Sequence, residues 1–246
     1  QWLKEEAETG NAEACYLMGI LFNVDEDFGI DPKAGVPWFK KASDGGHQEA
    51  TYTMAVLNYE GELVPTNKAE SARLLSRVDH KRQPRAAESL GLMRLLGDGI
   101  EADVPNGLSL LETAVANGRA QSASTLGRIY LYGVAVPKDR EKAREWFLKA
   151  AEMGDAYGQV KAGLLLGGKD AARFERSRNL VFAALSNDQQ VAYTEIVSFM
   201  TDEVTGMLEA DNPPVAPQDS MWFRKINGTL SGGKFISLND GIVNLM

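Results

Sequence analysis

The sequence predicts an all-α, right-handed α-solenoid of 36-residue helix pairs, closed by a C-terminal capping helix and followed by an irregular tail. Three observations carry that expectation. Residue types recur at a constant step of 36 with no gap needed. Within each step the apolar residues fall at helical spacing and glycines close the runs. Finally, 44% of the 246 residues are hydrophobic, which is enough to bury a core and excludes a disordered chain.

The repeat is legible in five columns. Trp2, Trp38, Leu74, Leu110 and Trp146 share one, which Phe182 continues, and Leu3, Phe39, Leu75, Leu111 and Phe147 fill the next. Gly10, Gly46, Gly118 and Gly154 share a third, whose polar intruder is Arg82. Met18, Met54, Leu90 and Leu126 form a fourth, followed at once by Gly19, Ala55, Gly91, Gly127 and Gly163. Ala14, Ala50, Ala86, Ser122 and Gly158 keep a fifth column small. A period of this length held through four units is the signature of a stacked array, because one unit cannot bury its apolar faces alone.

Each unit reads as two helices. Ala120–Tyr132 places Ala123, Leu126, Ile129 and Tyr130 on one face and stops at Gly133; Arg140–Met153 places Ala143, Trp146, Phe147, Ala150 and Ala151 on a stripe and stops at Gly154. Glycine past a helix end suits the left-handed cap that other residues reach only with strain. Gly127 removes a side chain where the second helix approaches, and Trp146 is expected to fill that gap.

The ends differ from the middle. Residues 1–9 match only a second helix, so the array (residues 1–187) begins mid-unit, with a helix expected before Gln1 in a mature or trimmed product. Ala171–Leu185 keeps the second-helix phase through Phe182. Gln189–Leu208 reads as a longer apolar-faced helix, giving a cap over residues 188–210. Asp211–Pro217 carries Pro213, Pro214 and Pro217 and cannot continue a helix. It opens a non-repeat tail, 211–246, with Met221, Trp222 and Phe223 ahead of a Gly-rich stretch.

Charge excludes several function classes. The formal net charge is −8, and all of it lies in residues 1–70, where thirteen acids face five bases. Such a chain is poorly suited to neutralising nucleic-acid phosphates. No apolar run approaches the ~20 residues of a membrane span. The opening residues do not have the charged-then-apolar layout of a signal peptide. A single cysteine excludes an intrachain disulfide and a thiolate zinc site.

The run Thr125–Val134, followed by Lys142–Gly154, resembles the Sel1-like repeat, a longer-unit relative of the tetratricopeptide repeats. The resemblance covers about residues 1–166. Unit three departs from it at Leu110 and at Glu112–Val115, and unit two at Val78–His80, while both keep their apolar columns. It implies a non-catalytic module that binds another protein along the concave face lined by the first helices. Some cysteine-rich members are linked with β-lactam binding through a Cys pair in each unit, which this chain lacks.

The chemical motifs do not assemble into a reaction. Gly228–Lys234 spells the start of a phosphate-binding loop, but Phe235 stands where a Ser or Thr would hold magnesium, and only twelve residues follow Lys234. Asp25–Asp31 is dense in acid, yet a calcium loop counted from Asp25 needs Gly and Glu where Ile30 and Val36 stand. His47 and His80 sit at repeat junctions without a recognisable acid or hydroxyl partner in sequence. Cys15 lies in a column of small residues and reads as a packed side chain. The sequence therefore predicts no catalytic residue, metal, cofactor or small-molecule substrate.

What remains is the face of the first helices. In the phase of the resemblance it presents Tyr16 and Ile20, then Tyr52, Val56 and Tyr59, then Glu88, Leu92 and Leu95. Ser124, Arg128, Leu131 and Tyr132 follow, then Tyr157, Val160 and Leu164. A water-facing surface rarely carries so many apolar and Tyr side chains, and tyrosine combines contact area with a hydroxyl at low entropic cost. Tyr16, Tyr52, Tyr59, Arg128, Tyr132 and Tyr157 are the candidate partner-binding residues, with Asp25, Glu26 and Asp27 steering a basic partner. The alternative is that some of them pack against adjacent helices or under the chain's own tail. The resemblance leaves finer roles open: an immunity protein neutralising a secreted antibacterial toxin such as a type VI phospholipase effector, or a scaffold or regulator of the bacterial cell envelope. It suggests a periplasmic or secreted location and leaves a cytoplasmic one open.

Overall fold

The computed structural model describes residues 2–24, 30–166 and 171–195, with residues 189 and 193 excepted. The chain divides into two compact units, residues 1–192 and 193–246, and the described residues belong almost entirely to the first. The expected cap over 188–210, the tail over 211–246 and the acidic run Asp25–Asp27 lie wholly or mostly outside the described residues.

Eleven helices and no strand occur among the described residues. The first helices of the units are α2 (Ala12–Val24), α4 (Gln48–Glu60), α6 (Pro84–Leu96), α8 (Ala120–Tyr132) and α10 (Ala156–Leu166). The second helices are α1 (Trp2–Glu8), α3 (Pro32–Asp44), α5 (Lys68–Leu75), α7 (Val104–Ala116), α9 (Arg140–Glu152) and α11 (Ala171–Asn187). Each helix packs on its neighbours in the chain, and α10 also reaches α8. Among the described residues the core falls into four apolar clusters. This is the α-solenoid that the 36-residue columns predict.

Both junctions of a unit have a local cause. Asp31, Asn67, Asp103 and Asp139, again 36 apart, accept hydrogen bonds from the first backbone N–H groups of α3, α5, α7 and α9. Their own N–H groups donate to Phe22, Asn58, Arg94 and Tyr130 one helix back, at 2.7–2.9 Å, which closes each loop. At the other junction Gly10, Gly46, Gly118 and Gly154 all take φ between 87° and 96°, a region costly for residues with a Cβ.

Unit two shows what happens without that glycine. With Arg82 in the column, α5 stops after eight residues at Leu75, and side chains hold the turn that follows. His80 Nε2 donates to the Leu75 carbonyl at 2.9 Å. Gln48 accepts from the Asp79 N–H at 2.7 Å, and Gln83 donates to Glu49 at 2.5 Å.

Close approach of paired helices is permitted by small residues. A Cβ on Gly19 would lie 2.6 Å from the Phe39 ring, and one on Gly91 would lie 2.9 Å from the Gly107 carbonyl. At Gly127 the partner is Phe147, not Trp146: a Cβ there would meet the Phe147 ring at 2.6 Å. The expectation that the tryptophan fills this gap is corrected. Phe39, Leu75, Leu111 and Phe147 are the buried column; in the neighbouring column Leu74 is buried as well, while Trp38, Leu110 and Trp146 are only partly covered. The step between adjacent columns on one helix is about 100°, which turns one inward and its neighbour toward the edge.

Candidate partner-binding face

The first helices carry two kinds of outward column, with different fates. Tyr16, Tyr52, Glu88 and Ser124 lie one period apart, and the junction residue before the next first helix is His47, Gln83, Arg119 or Asp155. Three of these pairs touch. The Tyr16 ring stacks on His47 with centroids 4.3 Å apart. Arg119 forms an ion pair with Glu88, and the Ser124 hydroxyl donates to Asp155 at 2.5 Å. Position 16 of the period therefore joins one unit to the next.

His47 is well defined chemically. Its Nδ1 accepts from the Ala50 N–H at 3.1 Å as the N-cap of α4. The proton of the neutral ring then sits on Nε2, which lies 3.0 Å from Glu13. Burial first, then the Glu49 and Glu13 carboxylates, holds the Tyr16 hydroxyl above its ordinary pKa. Tyr157 is likewise engaged internally, tilted against Phe147 at 5.9 Å with the Lys161 ammonium 5.4 Å from its ring.

Tyr52 and Tyr59 have a different setting. They line a groove of about 360 Å³ between α4 and α6, with Val56 and Glu60 beside them and Ser89, Leu92, Met93, Leu96 and Asp98 opposite. Ser71 and Leu75 of α5 also line it. Tyr59 donates to Asp98 Oδ2 at 2.7 Å, Lys68 donates to Asp98 Oδ1 at 2.7 Å, and the Lys68 ammonium lies 5.0 Å from the Tyr59 ring centroid. The Lys68 and Tyr59 hydrogen bonds hold the Asp98 carboxyl below its usual range, and the bond to Asp98 holds the Tyr59 hydroxyl above its own.

Three large apolar side chains remain exposed at the ends of consecutive first helices: Tyr59 at 41%, Leu96 at 57% and Tyr132 at 54%. Arg128 is exposed one turn before Tyr132. Thus Tyr52 and Tyr59 come together, Arg128 and Tyr132 share the next unit but one, and Tyr16 and Tyr157 are occupied in packing. Of the other face positions, Leu95, Ser124, Val160 and Leu164 are buried. Sequence reasoning missed Leu96 and Asp98. The signal for Leu96 was present: it shares a column with Tyr132, each directly before a stop glycine, Gly97 or Gly133. Asp98 carried none, because its value depends on Lys68 and Tyr59 arriving from other elements.

Cys15 is fully buried and its thiol lies 3.2 Å from the Ala7 carbonyl. Among the described residues no group of three or more His, Cys, Asp or Glu side chains could hold a metal ion, and no helix is long and apolar enough to cross a membrane.

The geometry is matched by sequence comparison. The Sel1 repeat model matches residues 12–47, 48–77, 84–118 and 120–155. This chain belongs to the Sel1 repeat family. The second Sel1 match ends at 77 and the third begins at 84, so the break falls on the turn that replaces the end of α5. Among solved structures, the chain is similar to a protective antigen of uropathogenic Escherichia coli with the same repeat fold. The two are 26% identical with a TM-score of 0.66, over 75% of this chain and 40% of that one, so this chain spans two fifths of the antigen's length. It is also similar to a Sel1 repeat protein of Oxalobacter formigenes, at 20% identity and a TM-score of 0.65 over 90% of this chain and 87% of that one. No curated protein matches the sequence.

Proposed function

We propose that this Sel1 repeat array is a non-catalytic module that binds a partner protein on the face formed by its first helices. The observation that supports it is the run of exposed Tyr59, Leu96 and Tyr132 on consecutive units, beside an open apolar groove. Scattered surface apolar residues are ordinary, but Leu96 and Tyr132, aligned one period apart, with Tyr59 one position off that column and lining the groove, mark an interaction site. In this reading residues 1–187 carry the binding, 188–210 close the array and 211–246 form a separate tail.

The test is affinity capture from the source cells with wild type, Leu96→Asp, Tyr132→Asp and Lys40→Glu, the last on exposed α3 surface. A partner lost with the first two variants and kept with the third is the expected result. Loss only with Lys40→Glu would place binding on the other helix row.

A second reading, neutralisation of a secreted toxin, is favoured by the confinement of the whole −8 charge to residues 1–70, which suits a basic target surface. Co-expression with a toxin encoded next to this gene would rescue growth if it holds; an envelope-biogenesis neighbourhood would favour the scaffold role. The periplasmic or secreted location rests on the family resemblance and is tested by fractionating cells.

A further inference from the structure

We propose that the groove between α4 and α6 takes a short peptide segment bearing a large apolar side chain next to a Lys or Arg. This rests on the protein-binding reading above and names the chemistry of the partner at one site. The groove's volume, about 360 Å³, is at the small end of the ~300–1,000 Å³ typical of ligand clefts. It has room for a side chain or two, with Tyr52, Val56, Leu92 and Leu96 as apolar walls.

Two independent features select a cation beside that side chain. First, Glu60 and Asp98 line the groove, and no Lys or Arg does. Lys68, the nearby cation, is held by Asp98 and the Tyr59 ring, whereas Glu60 is exposed and forms no ion pair among the described residues. Second, Glu60 and Leu96 are the last residues of α4 and α6, so two helix C-termini meet the same end of the groove. The partial negative charge of each terminus favours a cation there. An anionic peptide would face the unpaired Glu60 carboxylate and the two helix ends.

The probes are fluorescein-labelled dodecapeptides in a Gly-Ser background: one carrying Leu-Trp-Arg-Lys, one with Glu-Glu for Arg-Lys, one with Ala-Ala for Leu-Trp. Fluorescence anisotropy with the full chain should show the first binding at least about tenfold more tightly than either other. Glu60→Gln should weaken it about threefold to tenfold, with the difference gone at about 0.5 M salt. Leu96→Asp should abolish binding while the helical circular dichroism is unchanged, since Leu96 is exposed. Equal binding of the acidic and basic peptides overturns the cation claim, and so does an inert Glu60→Gln. Binding that survives Leu96→Asp, or no binding by the basic peptide, overturns the groove. If captured partner is lost with Leu96→Asp but the basic peptide does not compete with it, the module reading stands and this inference falls. If capture ignores the first-helix face while the peptide behaves as expected, the module reading falls instead.

Discussion

The Phe147 ring lies against Gly127, so close that a Cβ on residue 127 would come within 2.6 Å of it. Phe147 is fully buried, and the neighbouring Trp146 is only partly covered. Stability in unit four should therefore follow the phenylalanine. Phe147→Ala should cost ~3–5 kcal/mol as a large core deletion, and Gly127→Ala ~1–3 kcal/mol by overpacking. Trp146→Ala should cost less than Phe147→Ala. Urea melts of the three variants decide this, and a larger loss at Trp146 would contradict the placement.

Ser122 is fully buried and its hydroxyl has no hydrogen-bond partner among the described residues. The equivalent positions are Ala14, Ala50, Ala86 and Gly158. Removing a buried polar group without a partner recovers its desolvation cost, so Ser122→Ala should stabilise the protein by ~1 kcal/mol. A lower melting temperature would show that the hydroxyl is satisfied in solution.

The Lys68–Asp98–Tyr59 cluster sets a pH dependence. Asp98 is lowered by its hydrogen bonds to Lys68 and Tyr59. Its contribution to stability is full above the unfolded carboxyl value, ~4, and is lost as pH falls through the lower folded value. Tyr59 is raised by its bond to Asp98. Its contribution is full below the unfolded value, ~10, and is lost as pH rises through the folded one. The difference in urea midpoint between wild type and Asp98→Asn should be level between those limits and shrink beyond both. The group is partly exposed, so the level difference should be small. A difference unchanged from acid to alkali would rule out the cluster as its source.

Binding kinetics should separate groove from charge. Tyr52→Ala should raise the dissociation rate of the partner at a cost of ~2 kcal/mol or more. Tyr16→Ala should lower stability instead, because Tyr16 stacks on His47 between units. Neutralising Asp25, Glu26 and Asp27 together should slow association at low salt and have little effect at high salt. Surface plasmon resonance at two ionic strengths reads the first and third, and a urea melt reads Tyr16→Ala; a slowed association rate for Tyr52→Ala alone would argue against an anchor.

The helix boundaries were legible because their causes are local. Gly133 and Gly154 stop helices by a backbone property of one residue, and α8 runs over Ala120–Tyr132 as its apolar spacing predicts. The cap column Asp31, Asn67, Asp103 and Asp139 was not singled out from the sequence, although a cap also acts locally, over three residues. Periodicity also determined that neighbouring units stack.

Side-chain destinations were decided by the tertiary structure. Trp146 and Phe147 are adjacent apolar residues on one stripe, and only the position of α8 determines which enters the gap at Gly127. Tyr16 and Tyr52 share a column, yet Tyr16 is taken up by His47 and Tyr52 is left to line a groove. Asp98 meets Lys68 and Tyr59 from 30 and 39 residues away. A repeat determines the backbone frame from residue types alone. Which side chains are consumed in joining units, and which are left over to bind, depends on the particular neighbours that the frame brings within a few ångströms.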